Sequence, residues 1–269
     1  MAGSALVRKP TGTRVAALCA LLGALLAGGC GVSEGLLDDL AAAGASPSRS
    51  VESAQVEDAT DPAHRSAGTR PRSVRTARRQ LEELEIGVRR PAGLPSYSRD
   101  AYGSSWSDVD GNGCNQRDDV LLRDAVPGSV RVEPQGACDH DVLAGTWRDP
   151  YTGTTLSFDD LKDLSQAQAI QIDHIVPLAE AWLSGAAGWP DERRRQYAND
   201  LGNLLAVDGP TNAGKGADDP AAWRPRKAFQ CAYAVRWIGT KHRWGLAADP
   251  SEIAALRELL ATCPTRDAG

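Results

Sequence analysis

Asp173, His174 and Asn212 are the side chains whose types and order could build a hydrolytic centre. Cutting a phosphodiester with water needs a base to take a proton, a divalent ion to neutralise developing charge, and hard oxygens to hold that ion. Asp173 and Asn212 offer the oxygens and His174 offers the base. They sit in the runs Asp173-His174-Ile175-Val176-Pro177, Asn203-Leu204-Leu205 and Asn212-Ala213-Gly214-Lys215. Neighbours on a strand point to opposite faces, so Asp173 and His174 share a site only where the strand ends or bulges. Pro177, which has no ladder donor, ends it close by. An isolated Asp-His pair is common and carries little; the order Asp-His, Pro, Asn, Asn-x-x-Lys carries the inference.

That order resembles the ββα-metal core of HNH endonucleases, in the H-N-N spelling. The resemblance implies that His174 is the general base and that Asp173 and Asn212 hold one divalent cation, Mg²⁺ foremost and Mn²⁺ next. It implies that Asn203 holds the loop that positions the histidine, and that Lys215 meets a phosphate. Further out, Tyr97-Ser98-Arg99, Trp106-Ser107-Asp108, Asn112-Gly113-Cys114, Gly145-Thr146-Trp147, Tyr151-Thr152-Gly153, Ala181-Trp182, Tyr197-Ala198-Asn199-Asp200 and Lys215-Gly216 resemble secreted actinobacterial HNH proteins related to the GmrSD-type C-terminal domain. The resemblance runs from about Leu81 to Cys263.

The elements that must position these residues can be read along the chain. Arg8, Lys9 and Arg14 precede an apolar run from Val15 to Ala27, so residues 1–29 read as an export signal. Leu26-Ala27-Gly28-Gly29-Cys30 resembles a lipobox, which makes Cys30 a lipidated N-terminus on a membrane surface; an ordinary cleaved signal is the alternative. Residues 30–74 carry no aromatic residue and no sustained apolar period, the composition of a disordered tether. Residues 75–269 then form one α+β domain, mainly helical with short strands around the ββα core, expected to be a monomer. Helices are expected from Val74 to Ile86, Cys114 to Val126 (Val120, Leu121 and Leu122 inward), Ala179 to Ser184, Asp191 to Ala198, Pro225 to Gly239 and Pro250 to Thr262. Strands are expected between Val130 and Phe158, and over Ile170 to His174 and Leu204 to Val207. Asp249 should cap the last helix, with Glu252 returning a capping-box bond and Ile253, Leu256, Leu259 and Leu260 buried.

Cys114, Cys138, Cys231 and Cys263 remain in the domain, an even number with no C-x-x-C pair, which favours disulfides over zinc. Of three possible pairings the sequence-local one, Cys114 with Cys138 and Cys231 with Cys263, is expected. Asp108, Asp110 and Asn112, with Asp119 at the twelfth position, approximate a Ca²⁺ loop without its final glutamate; the alternative is a disulfide-held turn whose carboxylates bond the backbone. A net charge of −5 is adverse for a nucleic-acid binder. From Ala221 to Ala248, however, Arg224, Arg226, Lys227, Arg236, Lys241 and Arg243 are interleaved with Trp223, Tyr233, Trp237 and Trp244. That is either a phosphate-tracking face or a helix with core tryptophans, and the second fits better. Arg193 and Arg195, flanking Arg194, are further candidates for substrate phosphate, and Arg117 could lie near the site. A peptidase reading is weak, since no H-E-x-x-H is present. The expected function is metal-dependent cleavage of DNA, or RNA, outside the cytoplasm; the alternative is a non-catalytic surface lipoprotein using the fold for interaction.

Overall fold

The computed structural model describes residues 71–264. The export signal, Cys30 and the tether up to residue 70 lie outside the described residues. Among the described residues, eight α-helices and two small sheets make an α+β domain. Helix α1 (Pro71–Glu83) buries Val74, Ala77 and Leu81 at helical spacing, with Leu84 just beyond its end. It opens three residues before Val74, inside the stretch expected to be tether. Asn115 caps α2 (Gln116–Asp124) by accepting from the amides of Arg117 and Asp118. Val120 and Leu121 are buried, whereas Leu122, expected inward, is 38% exposed, because the packed face of this short helix is only two residues wide here.

Strands β1 (Arg131–Gln135), β2 (Cys138–Arg148) and β3 (Thr155–Phe158) form an antiparallel meander. Its second turn carries Gly153 at φ +83°, a conformation that glycine alone adopts without strain. A helix that periodicity did not indicate, α3 (Leu164–Ala169), is capped by Asp163 and runs directly into β4 (Ile170–His174). Strand β4 pairs antiparallel with β5 (Leu204–Asp208), Asp173 opposite Leu205 and His174 opposite Leu204. Between them lie α4 (Leu178–Leu183) and α5 (Asp191–Ala198). Asp208 then caps α6 (Gly209–Lys215), with Pro210 in its first turn.

This two-stranded sheet separates two cores. Ile170, Ile172, Leu204 and Ala206 face a cluster with Val120, Leu121 and Trp147. Leu205 and Val207 face a larger cluster built from α1, α4, α5, α7 (Lys227–Trp244) and α8 (Pro250–Ala261). Helix α7 starts two residues after Pro225 and runs through Gly239 to a left-handed Gly245. Burial of Phe229, Tyr233, Trp237 and Ile238 outweighs the cost of one glycine inside the helix. Tyr233 and Trp237 are therefore core, not stacking platforms, and Lys241 is buried between Glu180 and Glu252 at 2.8 and 2.7 Å. Helix α8 has the predicted Asp249 cap and buried stripe. Glu252 does not return the capping-box bond; its carboxylate turns inward to Lys241 and the Trp237 indole. The disulfides join Cys114 to Cys138 and Cys231 to Cys263, as the local pairing anticipated.

Candidate active site

Strand β4 ends at His174, and there alternation no longer keeps its neighbours apart. Asp173, His174 and Asn212 line one cleft of about 510 Å³. Tyr97, Arg99, Trp106, Arg117 and Gln171 line it with them.

His174 is buried, and its Nε2 lies 2.8 Å from the carbonyl oxygen of Ala198 at the end of α5. A carbonyl can only accept, so Nε2 carries the proton and Nδ1 keeps its lone pair. Burial pushes the imidazole down to about 4, helped by the positive charges of Arg99 and Lys215, so the ring is neutral near pH 7. Trp106 stacks on it with centroids 6.0 Å apart and planes 13° from parallel. Trp106 has φ +59°, alone among the described non-glycine residues in having positive φ. A bulky residue there is held at a cost in backbone strain, and such strain gathers at functional sites.

Asn203 holds the segment after the histidine. Its side-chain oxygen accepts from the Val176 amide at 2.9 Å, its amide donates to the Val176 carbonyl at 3.1 Å, and its own carbonyl accepts from the Ile175 amide at 2.8 Å. Its side chain bonds the Val176 backbone and the Tyr197 hydroxyl, which makes it a positioning residue. Asn203→Ala would leave the buried Val176 amide unpaired, while the Val176 carbonyl keeps the Tyr197 hydroxyl, a loss of roughly 1–3 kcal/mol of stability; thermal unfolding alongside activity checks that stability falls at least as clearly as rate.

Asp173 is buried and doubly partnered. Tyr151 donates its hydroxyl to Oδ2, and Lys215 Nζ lies 2.9 Å from Oδ1. Lys215 also donates to the His174 carbonyl at 2.9 Å and has no exposed surface. Desolvation raises the Asp173 carboxyl and lowers the Lys215 ammonium, and their mutual attraction opposes both shifts. Lys215 was expected to meet a phosphate; instead α6 turns it inward onto Asp173. Asn212 donates its amide to Gln171 Oε1 at 2.9 Å, which fixes the orientation of its oxygen.

This donor set fits a hard divalent cation that keeps most of its water: one carboxylate with lone pairs to spare beyond Tyr151 and Lys215, and one amide oxygen without a protein donor among the described residues. The Cys114, Cys138 and His140 cluster offers no such site, since its two sulfurs are bonded to each other.

Other candidates lie elsewhere. Arg193 donates to the Trp244 carbonyl at 2.8 Å and covers Trp189, and Arg195 pairs with Glu192 at 2.7 Å; neither lines the cleft. In the candidate calcium loop, Asp108 accepts from the Gly111 and Gly113 amides, Asp110 from Asn112, and Asn112 from Cys114. Asp119 bonds His140 Nε2 and Asn112. These oxygens serve the protein itself, as a disulfide-held turn requires. Sequence reasoning gave no role to Tyr151, Trp106 or Ala198. Tyr151 lies in the β2–β3 turn and reaches Asp173 only through the fold.

Residues 116–259, more than half of the chain, match the family of GmrSD restriction endonucleases, C-terminal domain. The chain is 36% identical over 195 residues to a protein of Arthroderma benhamiae described only as an uncharacterized secreted protein, a match covering 71% of this chain and 86% of that one. No solved structure matches it.

Proposed function

From the premise that the chain belongs to the family of GmrSD restriction endonuclease C-terminal domains, we propose that it is a metal-dependent endonuclease of the HNH type, cutting DNA outside the cytoplasm. The observation that carries the reading is a neutral His174 whose Nε2 is committed to Ala198, leaving Nδ1 to accept a proton in a cleft that Asp173 and Asn212 share.

In this reading His174 Nδ1 takes the proton of the attacking water while the Ala198 carbonyl and the Trp106 face hold the ring in one orientation. The imidazolium so formed keeps its Nε2–H on Ala198. Asp173 and Asn212 would hold one divalent cation, which when bound neutralises charge developing on the phosphate. Tyr151 and Lys215 keep the Asp173 carboxylate fixed in the absence of that charge. Gln171 does the same for Asn212.

Wild-type protein is expected to nick supercoiled plasmid in Mg²⁺ or Mn²⁺ and to stop in excess EDTA. Asp173→Ala and Asn212→Ala should lose activity at low metal and regain part of it at high metal, because they remove ligands rather than the base. No nicking of DNA or RNA with any of Mg²⁺, Mn²⁺, Ni²⁺ or Ca²⁺ sinks the proposal and leaves a non-catalytic interaction module.

Two disulfides and a secreted relative support work in an oxidising compartment. The Leu-Ala-Gly-Gly-Cys sequence before the tether adds a lipid on Cys30. Intact mass of the membrane-extracted protein should show a diacylated Cys30; a lipid-free chain recovered from the medium would remove the anchor.

A further inference from the structure

We propose that Arg99 and Arg117 form a two-armed clamp for the phosphodiester anion presented to His174. This rests on the nuclease reading and names the part of the site that grips the substrate.

Both arginines line the cleft with Asp173, His174 and Asn212. They arrive from separate segments: Arg99 opens the 3₁₀ turn Arg99–Tyr102, and Arg117 stands in the first turn of α2. Neither makes a salt bridge among the described residues. Several other cations of the domain are paired with carboxylates: Lys215 with Asp173 beside the cleft, and, away from it, Arg195 with Glu192, Arg243 with Asp200 and Lys241 with Glu180 and Glu252.

Arg117 is the more telling of the two. It is partly buried, and burial lowers its basicity, a mark of lost hydration. Its protein acceptors are the carbonyls of Ala167 and Ile170, at 3.3 and 3.5 Å, both taken by one terminal nitrogen. Those bonds aim the guanidinium from the α3–β4 junction, beside the strand that carries Asp173. A guanidinium has five N–H donors, so most of them remain for a ligand. Asp118, next in the chain, gives it only partial electrostatic compensation and no ion pair, and a half-buried cation so placed gains when an anion arrives from outside. The planar fork matches two oxygens of a phosphate. Arg99 supplies a second, more exposed charge. Asp173 is already neutralised by Lys215, so the cleft is cationic even before a metal enters, in a chain whose net charge is −5.

The test is binding of a fluorescein-labelled oligodeoxynucleotide in EDTA, where nothing is cut, followed by plasmid nicking in Mg²⁺. Arg99→Ala and Arg117→Ala should each weaken binding about tenfold or more. Each should lower the slope of log affinity against log salt by about 1. In nicking, KM should rise more than kcat falls. Arg117→Lys, which keeps charge but not the fork, should fall between parent and Arg117→Ala. Arg257→Ala, a surface residue paired with Glu82, should match the parent. Thermal unfolding checks each fold, and Arg99→Ala with Arg117→Lys carries the test if Arg117→Ala does not fold. A parent that binds and cuts while the Arg99 and Arg117 variants keep its affinity and salt slope overturns the clamp alone. A parent that neither binds nor cuts overturns the nuclease reading and the clamp with it.

Discussion

His174→Ala is expected to slow phosphodiester cleavage by about 10²- to 10⁴-fold, the range that one positioned proton acceptor supplies. The protein should otherwise stay intact, since the imidazole donates one hydrogen bond and stacks on Trp106, while the backbone carbonyl that holds Lys215 is kept. Metal affinity should change little, because Asp173 keeps Tyr151 and Lys215 and Asn212 keeps Gln171. The pH profile offers a second check. With the imidazole pushed down to about 4, protonation should remove activity only near that pH, and kcat/KM should show no limb from this group between pH 6 and 8. Single-turnover nicking at fixed Mg²⁺ measures both. A variant that cuts as fast as the parent would show that another group takes the proton.

Lys241→Ala should cost roughly 3–5 kcal/mol of stability, the usual result of stripping one partner from a buried ion pair. Lys241 has no exposed surface and donates to Glu180, Glu252, Ser184 and the Ala247 carbonyl. Without it, two carboxylates face each other inside the larger core. Glu252 already shows the strain, for burial lifts it to about 7 although Lys241 opposes the rise. A triple variant, Lys241→Met with Glu180→Gln and Glu252→Gln, should recover most of the loss because no buried charge is left uncompensated. Urea unfolding of the three proteins decides it; a Lys241→Ala loss below about 1 kcal/mol would mean that water reaches the cluster.

What the sequence disclosed was local and periodic. Strand β4 and the cap and stripe of α8 followed from alternation, from Asp249 before Pro250, and from spacing, all within a few residues of one another. The pairing of cysteines by proximity held for the same reason. What it hid depends on partners distant in the chain. Lys215 reads as a phosphate ligand until α6 folds back 42 residues onto Asp173. Lys241 and Glu252 read as a surface charge and a cap until α7 and α8 are packed with α4. Arg117 reads as near the site and Arg99 as part of a family-like run, but neither takes a role from the sequence, because the cleft wall joins segments that no spacing links. The end of α7 was missed through Gly239, where tertiary burial outweighed local propensity.

Neither disulfide lines the cleft; one ties the start of α2 to β2 and the other α7 to the end of α8. Loops of their length each contribute about 3–4 kcal/mol by chain-entropy arithmetic, within a net stability of about 5–15 kcal/mol for a domain. A newly made chain with its thiols still reduced therefore sits near the edge of folding, where proteases clear what leaks open. On the proposed nuclease reading, this would separate synthesis of the chain from its potency. A cell making such a nuclease would be spared until the two disulfides closed.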